Sequence, residues 1–201
     1  MAISRPEILA AALLCAVAGS AAGAQERTQL PIEVKANSND FDYKNGVLVF
    51  NTVTITQGQM RISADRARCE CNQGLDFEES HWEFTGTVRI SMPDGALASE
   101  TARVRFSGGE IASATVTGAP ATFEQQREDE HAEGRANSID YDLKRGTVEF
   151  TGDAWLKDAR TELTSGRLVY STVNQRVVSK EPVVITIQPE EKSPEAPKPP
   201  S

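Results

Sequence analysis

Residues 36–50 read ANSNDFDYKNGVLVF, and residues 136–150 read ANSIDYDLKRGTVEF. The opening Ala-Asn-Ser, both aspartates, the Lys, the Gly and the closing Phe recur at the same places. Such agreement marks an internal repeat, and a repeat constrains the whole architecture before any single element is read. Each copy alternates apolar and polar residues on both sides of a turn. Lys44-Asn45-Gly46 and Lys144-Arg145-Gly146 supply that turn, with a glycine where the backbone needs a positive φ. The unit is therefore strand, turn, Phe-containing strand.

Working outward, EFTG occurs at 83–86 and again at 149–152, so the repeat has more than two copies. ALASETARVRF (96–106) matches ARTELTSGRLVY (159–170) in pattern, and RISADRARCEC (61–71) is an earlier counterpart. Runs such as VTIT, VRIS and VVITI are β-branched and of strand length. Turn signals separate them at Gln57-Gly58, Pro93-Asp94-Gly95, Gly108-Gly109, Gly118-Ala119-Pro120 and Val173-Asn174. No long stripe of helical period follows the first 24 residues. The pattern predicts an all-β domain of about a dozen or more short strands, in which stacked units bury a face that one unit cannot.

The N-terminal stretch differs. Arg5, then the small apolar run ILAAALLCAVAGSAA, then Ala22-Gly23-Ala24 have the order of a cleavable secretory signal, with cleavage expected after Ala24. The expected organisation is a signal over 1–24, a β domain over 25–187, and a disordered Pro-rich tail, QPEEKSPEAPKPPS, over 188–201. The net charge is −8, and removing residues 1–24 leaves it unchanged because Arg5 and Glu7 cancel. An acidic chain without a basic cluster argues against nucleic acid as partner.

Cys15 would leave with the signal. Cys69 and Cys71 remain, too few and too close for a structural zinc site. Aligning Ile62 with Leu97 sets Cys69 opposite Val104 and Cys71 opposite Phe106, which points both cysteines inward. Two small buried side chains are the favoured reading, with an oxidised pair as the alternative. His81 and His131 read as exposed polar residues. EQQREDEHAEG (124–134) reads as a solvated hairpin tip or loop.

No nucleophile, metal cluster or phosphate-binding loop can be drawn from the chain, so neither an enzyme nor a cofactor is expected. Asp40, Asp42, Asp140 and Asp142 recur beside the same turn in both copies. That placement suits turn capping better than acid–base work, which a glycosidase needs once.

LPIEVKANSNDFDYKNGVLVFNTVTITQGQMRISADRA, GAPATFEQQ and EGRANSIDYDLKRGTVEFTGDAWL together resemble the OstA-like (LptA/LptC) family of periplasmic lipopolysaccharide-transport proteins. The resemblance covers most of Leu30 to Ser179. Residues 69 to 110 depart from it by being longer. The resemblance implies an open antiparallel β-jellyroll, a V-shaped trough that shields lipid acyl chains on the way from the inner to the outer membrane. It implies lipopolysaccharide as ligand, with an LptC-like inner-membrane partner and an LptD-like outer-membrane partner. The other reading is a scaffold domain whose closed core binds only proteins.

One alternating face supplies the expected lining: Phe41, Leu48, Phe50, Val88, Ile90, Val104, Phe106, Ile139, Tyr141, Val148, Phe150, Leu156, Leu168 and Tyr170. Nothing strand-like lies beyond Ile32–Ala36 or Val183–Ile187, so these should be edge strands. Ile32, Val34, Val183, Ile185 and Ile187 are then the residues at which copies, or related partners, would join head to tail.

Overall fold

The computed structural model describes residues 30–42, 44–70, 77–127 and 130–189. The expected signal and most of the tail lie outside these residues. Eleven strands follow in chain order: β1 (Ile32–Asp42), β2 (Val47–Gln57), β3 (Met60–Glu70), β4 (Glu79–Met92), β5 (Gly95–Ser107), β6 (Glu110–Arg127), β7 (Glu130–Asp142), β8 (Thr147–Asp158), β9 (Thr161–Ser171), β10 (Arg176–Val178) and β11 (Val183–Ile187). They form one antiparallel sheet whose spatial order is the sequence order from β1 to β10, with β11 paired to β9 beside β10. The fold is all-β and open, as expected. Among the described residues, no helix is long and apolar enough to cross a membrane.

The strands are longer than the expected short pieces. β1 to β9 run 11 to 18 residues each, because two apparent strands are the halves of one. The reason lies in the repeated EFTG. Gly86 and Thr87 in β4, and Gly152 and Asp153 in β8, all take positive φ. This bends the strand without ending it. Register shifts fall at the same level from β3 to β9: between Ser63 and Arg66, Thr85 and Val88, Ala98 and Thr101, Thr117 and Ala121, Arg135 and Ser138, and Thr151 and Ala154. These bulges form a crease across the sheet. Polar side chains from neighbouring strands sit on it. Thr87 Oγ1 donates to Asp65 Oδ2 at 3.2 Å, and Asn137 Nδ2 donates to Asp153 Oδ2 at 3.3 Å. A Cβ on Gly86 would collide with Asp65, and one on Gly152 with Asn137.

Gly118-Ala119-Pro120 is part of the same crease. Its Ala119–Pro120 peptide is cis and lies inside β6, so the expected turn there is corrected to a bulge. The expected hairpin tip or loop over 124–134 is the closing end of the β6–β7 hairpin, and it is mostly ladder: Glu124–Arg127 pair with Glu130–Glu133, with Gln125 opposite Ala132.

Folding at the crease makes two layers. Layer I holds the second halves of the odd strands and the first halves of the even ones. Layer II holds the rest. Phe123, from layer II of β6, packs at 5.6 Å from Phe150 of β8 and 6.1 Å from Tyr170 of β9, both in layer I. β6 pairs with neither strand, so these contacts cross the interior and the layers are offset along the sheet.

Candidate functional site: an apolar interior between two half-sheets

The pairing register draws the interior as rows. In layer I one row runs Phe41, Leu48, Cys69, Trp82, Val104, Ala114, Tyr141, Val148, Tyr170 and Val177, each paired with the next. A parallel row runs Phe50, Ala67, Phe84, Ala102, Val116, Ile139, Phe150 and Leu168. In layer II the row is Val34, Ile55, Ile62, Ile90, Leu97, Phe123, Gly134, Leu156, Leu163 and Ile185. Each row crosses the sheet without a charged residue. Strict alternation along each strand produces this arrangement, since every second side chain faces inward.

Of the fourteen residues picked from the sequence as lining, twelve are buried, while Phe41 and Tyr141 are half-buried. They pack against one another, and the interior is filled by side chains. Leu48, Phe50, Val88, Ile90, Val104, Phe106, Ile139, Val148, Phe150, Leu156, Leu168 and Tyr170 all belong to one core cluster. Small residues alternate with large ones across the rows. Gly134 is the tightest case, since a Cβ there would enter the Phe150 ring.

Sequence reasoning missed the largest buried side chain. Trp82 is fully buried in the layer I row, stacked 18° from the Phe50 ring plane and 16° from that of Phe84. Its Nε1 donates to the buried Ser80 Oγ at 3.1 Å. The signal was present, because Trp82 and Phe84 alternate with Glu83 in HWEF. Phe123 was missed as well, and so were Ile62 and Leu97, although the alignment of their two segments sets one against the other. Phe77, just before β4, stacks 5.2 Å from Trp82 and meets Phe106 edge-on at 5.0 Å. The chain joining β3 to β4 thus places its own aromatic ring on the layer I face.

Cys69 faces inward and is fully buried, as expected, but its sulfur is disulfide-bonded. This corrects the favoured reading of two free thiols. Its partner lies outside the described residues, as does Cys71.

The turn aspartates divide in role. Asp42 Oδ1 accepts from the Lys44 and Asn45 backbone amides, each at 3.1 Å, and Asp142 Oδ1 accepts from the Arg145 amide at 3.1 Å. Those two cap turns. The Asn45 side-chain amide and backbone hold the Asp42 carboxyl below the usual carboxylate range. Asp140 instead accepts from Thr115 Oγ1 at 2.6 Å across the outer face. His81 and His131 are exposed, and His131 lies between Gln126 and Glu133. No group of three or more His, Cys, Asp or Glu able to hold a metal occurs among the described residues.

The two outer strands are open. Among the described residues, β1 pairs only with β2, and β11 only with β9. Ile185 is 55% exposed and Ile187 71%, so the layer II row ends at uncovered apolar side chains. Trp155 and Arg89 point outward, and the Arg135 guanidinium lies 4.7 Å over the Trp155 ring.

With that geometry, residues 33–75 and 71–176 match the family of LptA/(LptD N-terminal domain) LPS transport proteins. The chain belongs to this LptA/LptD N-terminal domain family. The two matched segments meet at residues 71–75, within the β3–β4 connection where the sequence departs from its resemblance. Lipopolysaccharide export system protein LptA of Escherichia coli K12 is 27% identical over 108 residues, 52% of this chain and 58% of that protein. The protein of the same name from Haemophilus influenzae is 28% identical over 112 residues, 53% and 64%. The alignments thus span about three fifths of the length of these curated relatives. LptH, the LptA homologous periplasmic component of the lipopolysaccharide transport device of Pseudomonas aeruginosa, aligns with 80% of this chain and 96% of its own. Its identity is 18% and its TM-score 0.41.

Proposed function

We propose that this chain is a non-enzymatic periplasmic carrier. It holds lipid A acyl chains of lipopolysaccharide between its two half-sheets and passes the lipid from the inner towards the outer membrane. Family membership in LPS transport supports the role. The observation that carries the mechanism is the layer II row, uncharged from Val34 to Ile185 and ending at an exposed strand. Each acyl CH₂ kept from water is worth about 0.8 kcal/mol, so a row of this length gives a multi-chain lipid a favourable path through an aqueous compartment. The acidic outer surface leaves the anionic headgroup in solvent. β11 of one copy, or of an LptC-like or LptD-like partner, would pair with β1 of the next and continue the row.

A scaffold with a closed core that binds only proteins is the second reading, and the filled interior favours it. To admit an acyl chain, the layers must part or side chains must swing. Mass spectrometry of lipid co-purifying with residues 25–201, expressed in a lipopolysaccharide-producing host, decides between them. Stoichiometric lipopolysaccharide supports the carrier. Lipid-free protein that also fails to take up added lipopolysaccharide supports the scaffold.

A further inference from the structure

Between the turn ends of the two layers lies a cleft of about 220 Å³. Met60 and Met92 line it from layer II, and Tyr141 and Leu143 from layer I, with Phe123 as its floor. We infer that this cleft is the port through which one acyl chain of lipopolysaccharide enters the interior from the side. The inference rests on the carrier reading above and states where its ligand goes in.

The cleft is continuous with the buried rows. Phe123 meets Tyr141 at 6.2 Å, Phe150 at 5.6 Å and Tyr170 at 6.1 Å, edge to face in each case. A chain displacing the Phe123 ring therefore reaches both layers at once. From β2 to β8 every row residue except Tyr141 is buried, whereas at this cleft Met60, Met92, Tyr141 and Leu143 are only half-buried. The chain contains three methionines, Met1, Met60 and Met92. Both that follow the initiator line this cleft. An unbranched thioether with three rotatable bonds can swing aside without backbone movement, which suits a passage more than a fixed wall.

The rim chemistry fits an uncharged chain with its anionic headgroup kept outside. Asp94 and Glu124 both border the cleft and both are exposed. Arg127 lies 3.4 Å from Asp94, and the Gln126 amide donates to the Asp94 carbonyl at 3.0 Å. These contacts hold the β4–β5 turn beside β6 and keep the rim in place while the methionines move. With Asp94 offset by Arg127 and Glu124 beside it, the rim has no excess of positive charge to draw a phosphate inward. An alkyl chain has no polar group to leave unpaired inside.

Two measurements test the port. A benzophenone photocrosslinker is placed separately at Met92, at Phe150, and at Thr115 on the outer face, and each protein is irradiated with purified lipopolysaccharide. Adducts at 92 and 150, with none at 115, are expected. An adduct at 150 without one at 92 overturns the port and leaves the carrier reading standing. No adduct at either position overturns both. An adduct at 92 alone overturns entry into the interior, and equal labelling at 115 overturns the site. In the second measurement, Met92→Trp is expected to slow lipopolysaccharide association on the order of tenfold by filling the cleft, whereas Met92→Leu keeps the rate. An unchanged rate in folded Met92→Trp overturns the proposal, and the crosslinking result decides alone if that variant does not fold.

Discussion

Tyr170 Oη donates to Gln125 Oε1 at 2.9 Å, both side chains buried, from strands three places apart in the sheet. This bond ties layer I to layer II where the apolar contacts alone would allow sliding. Tyr170→Phe leaves the Gln125 amide buried without that partner. It should cost about 1–3 kcal/mol in urea unfolding. Tyr170→Phe combined with Gln125→Leu should recover most of the loss, and a double variant as unstable as the sum of its singles would refute the tie.

Gly134→Ala should destabilise by about 1–3 kcal/mol, because the new methyl must push the Phe150 ring off its packed position. Gly134→Ala with Phe150→Leu should be more stable than Gly134→Ala alone. Thermal midpoints of the four proteins check this.

Phe77→Ala should uncover Trp82. In a Trp155→Phe background Trp82 is the one indole, since the chain has two tryptophans. Acrylamide should quench its emission more strongly after the substitution, and a shift of its emission to longer wavelength should follow. Unchanged quenching would mean that Phe77 contributes nothing to the cover of Trp82.

Asp42 gives a pH signature. Its carboxyl is held low by Asn45 and Lys44, so its folded pKa lies below its unfolded one. The resulting stabilisation is fully present above the unfolded value of about 3.9 and is lost as pH falls through the folded value. The difference in urea midpoint between wild type and Asp42→Ala should therefore be constant from neutral pH down to about 5 and shrink on further acidification. A difference that grows below pH 4 would reverse the assignment.

Edge pairing is tested better by charge than by proline. A proline at Ile185 disturbs the ladder to Leu163 as well as any new one. Ile185→Lys keeps the β9 pairing and places a charge on a side chain that is 55% exposed. Wild type should associate with rising concentration in sedimentation, and Ile185→Lys should remain monomeric. Two monomeric profiles would remove open-edge assembly from the mechanism.

The repeated residues were the legible ones. The recurrence of Asp-x-Asp with its glycine turn located both turn caps, Asp42 and Asp142. Alternation located the inward face, including Cys69, because strand period leaves two choices and hydrophobicity selects one. VVITI was legible as an edge because the Pro-rich stretch QPEEKSPEAPKPPS directly after it is poor in strand formers. The crease was not legible. EFTG was visible twice, yet a glycine of positive φ can end a strand or bend it, and only pairing across the bulge distinguishes the two outcomes. Trp82 had a counterpart in Val148, two residues before the Phe of EFTG, so its inward place was legible, whereas Phe77 and Phe123 lie outside the repeated motifs and no counterpart pointed to them. The filled interior depends on how far the two layers close, which alternation within one strand does not report.

Strand order equal to chain order has a consequence for the variability of such chains. Every strand from β2 to β8 bonds only to the strand before and the strand after it. Both layers lengthen together whenever one hairpin is added, because each strand contributes a half to each. A hairpin can therefore be gained or lost anywhere along the row without re-routing a connection, and the crease reforms at the new neighbour. Length is a free variable here, as it is in solenoids, and the capacity of the interior grows in steps of one hairpin.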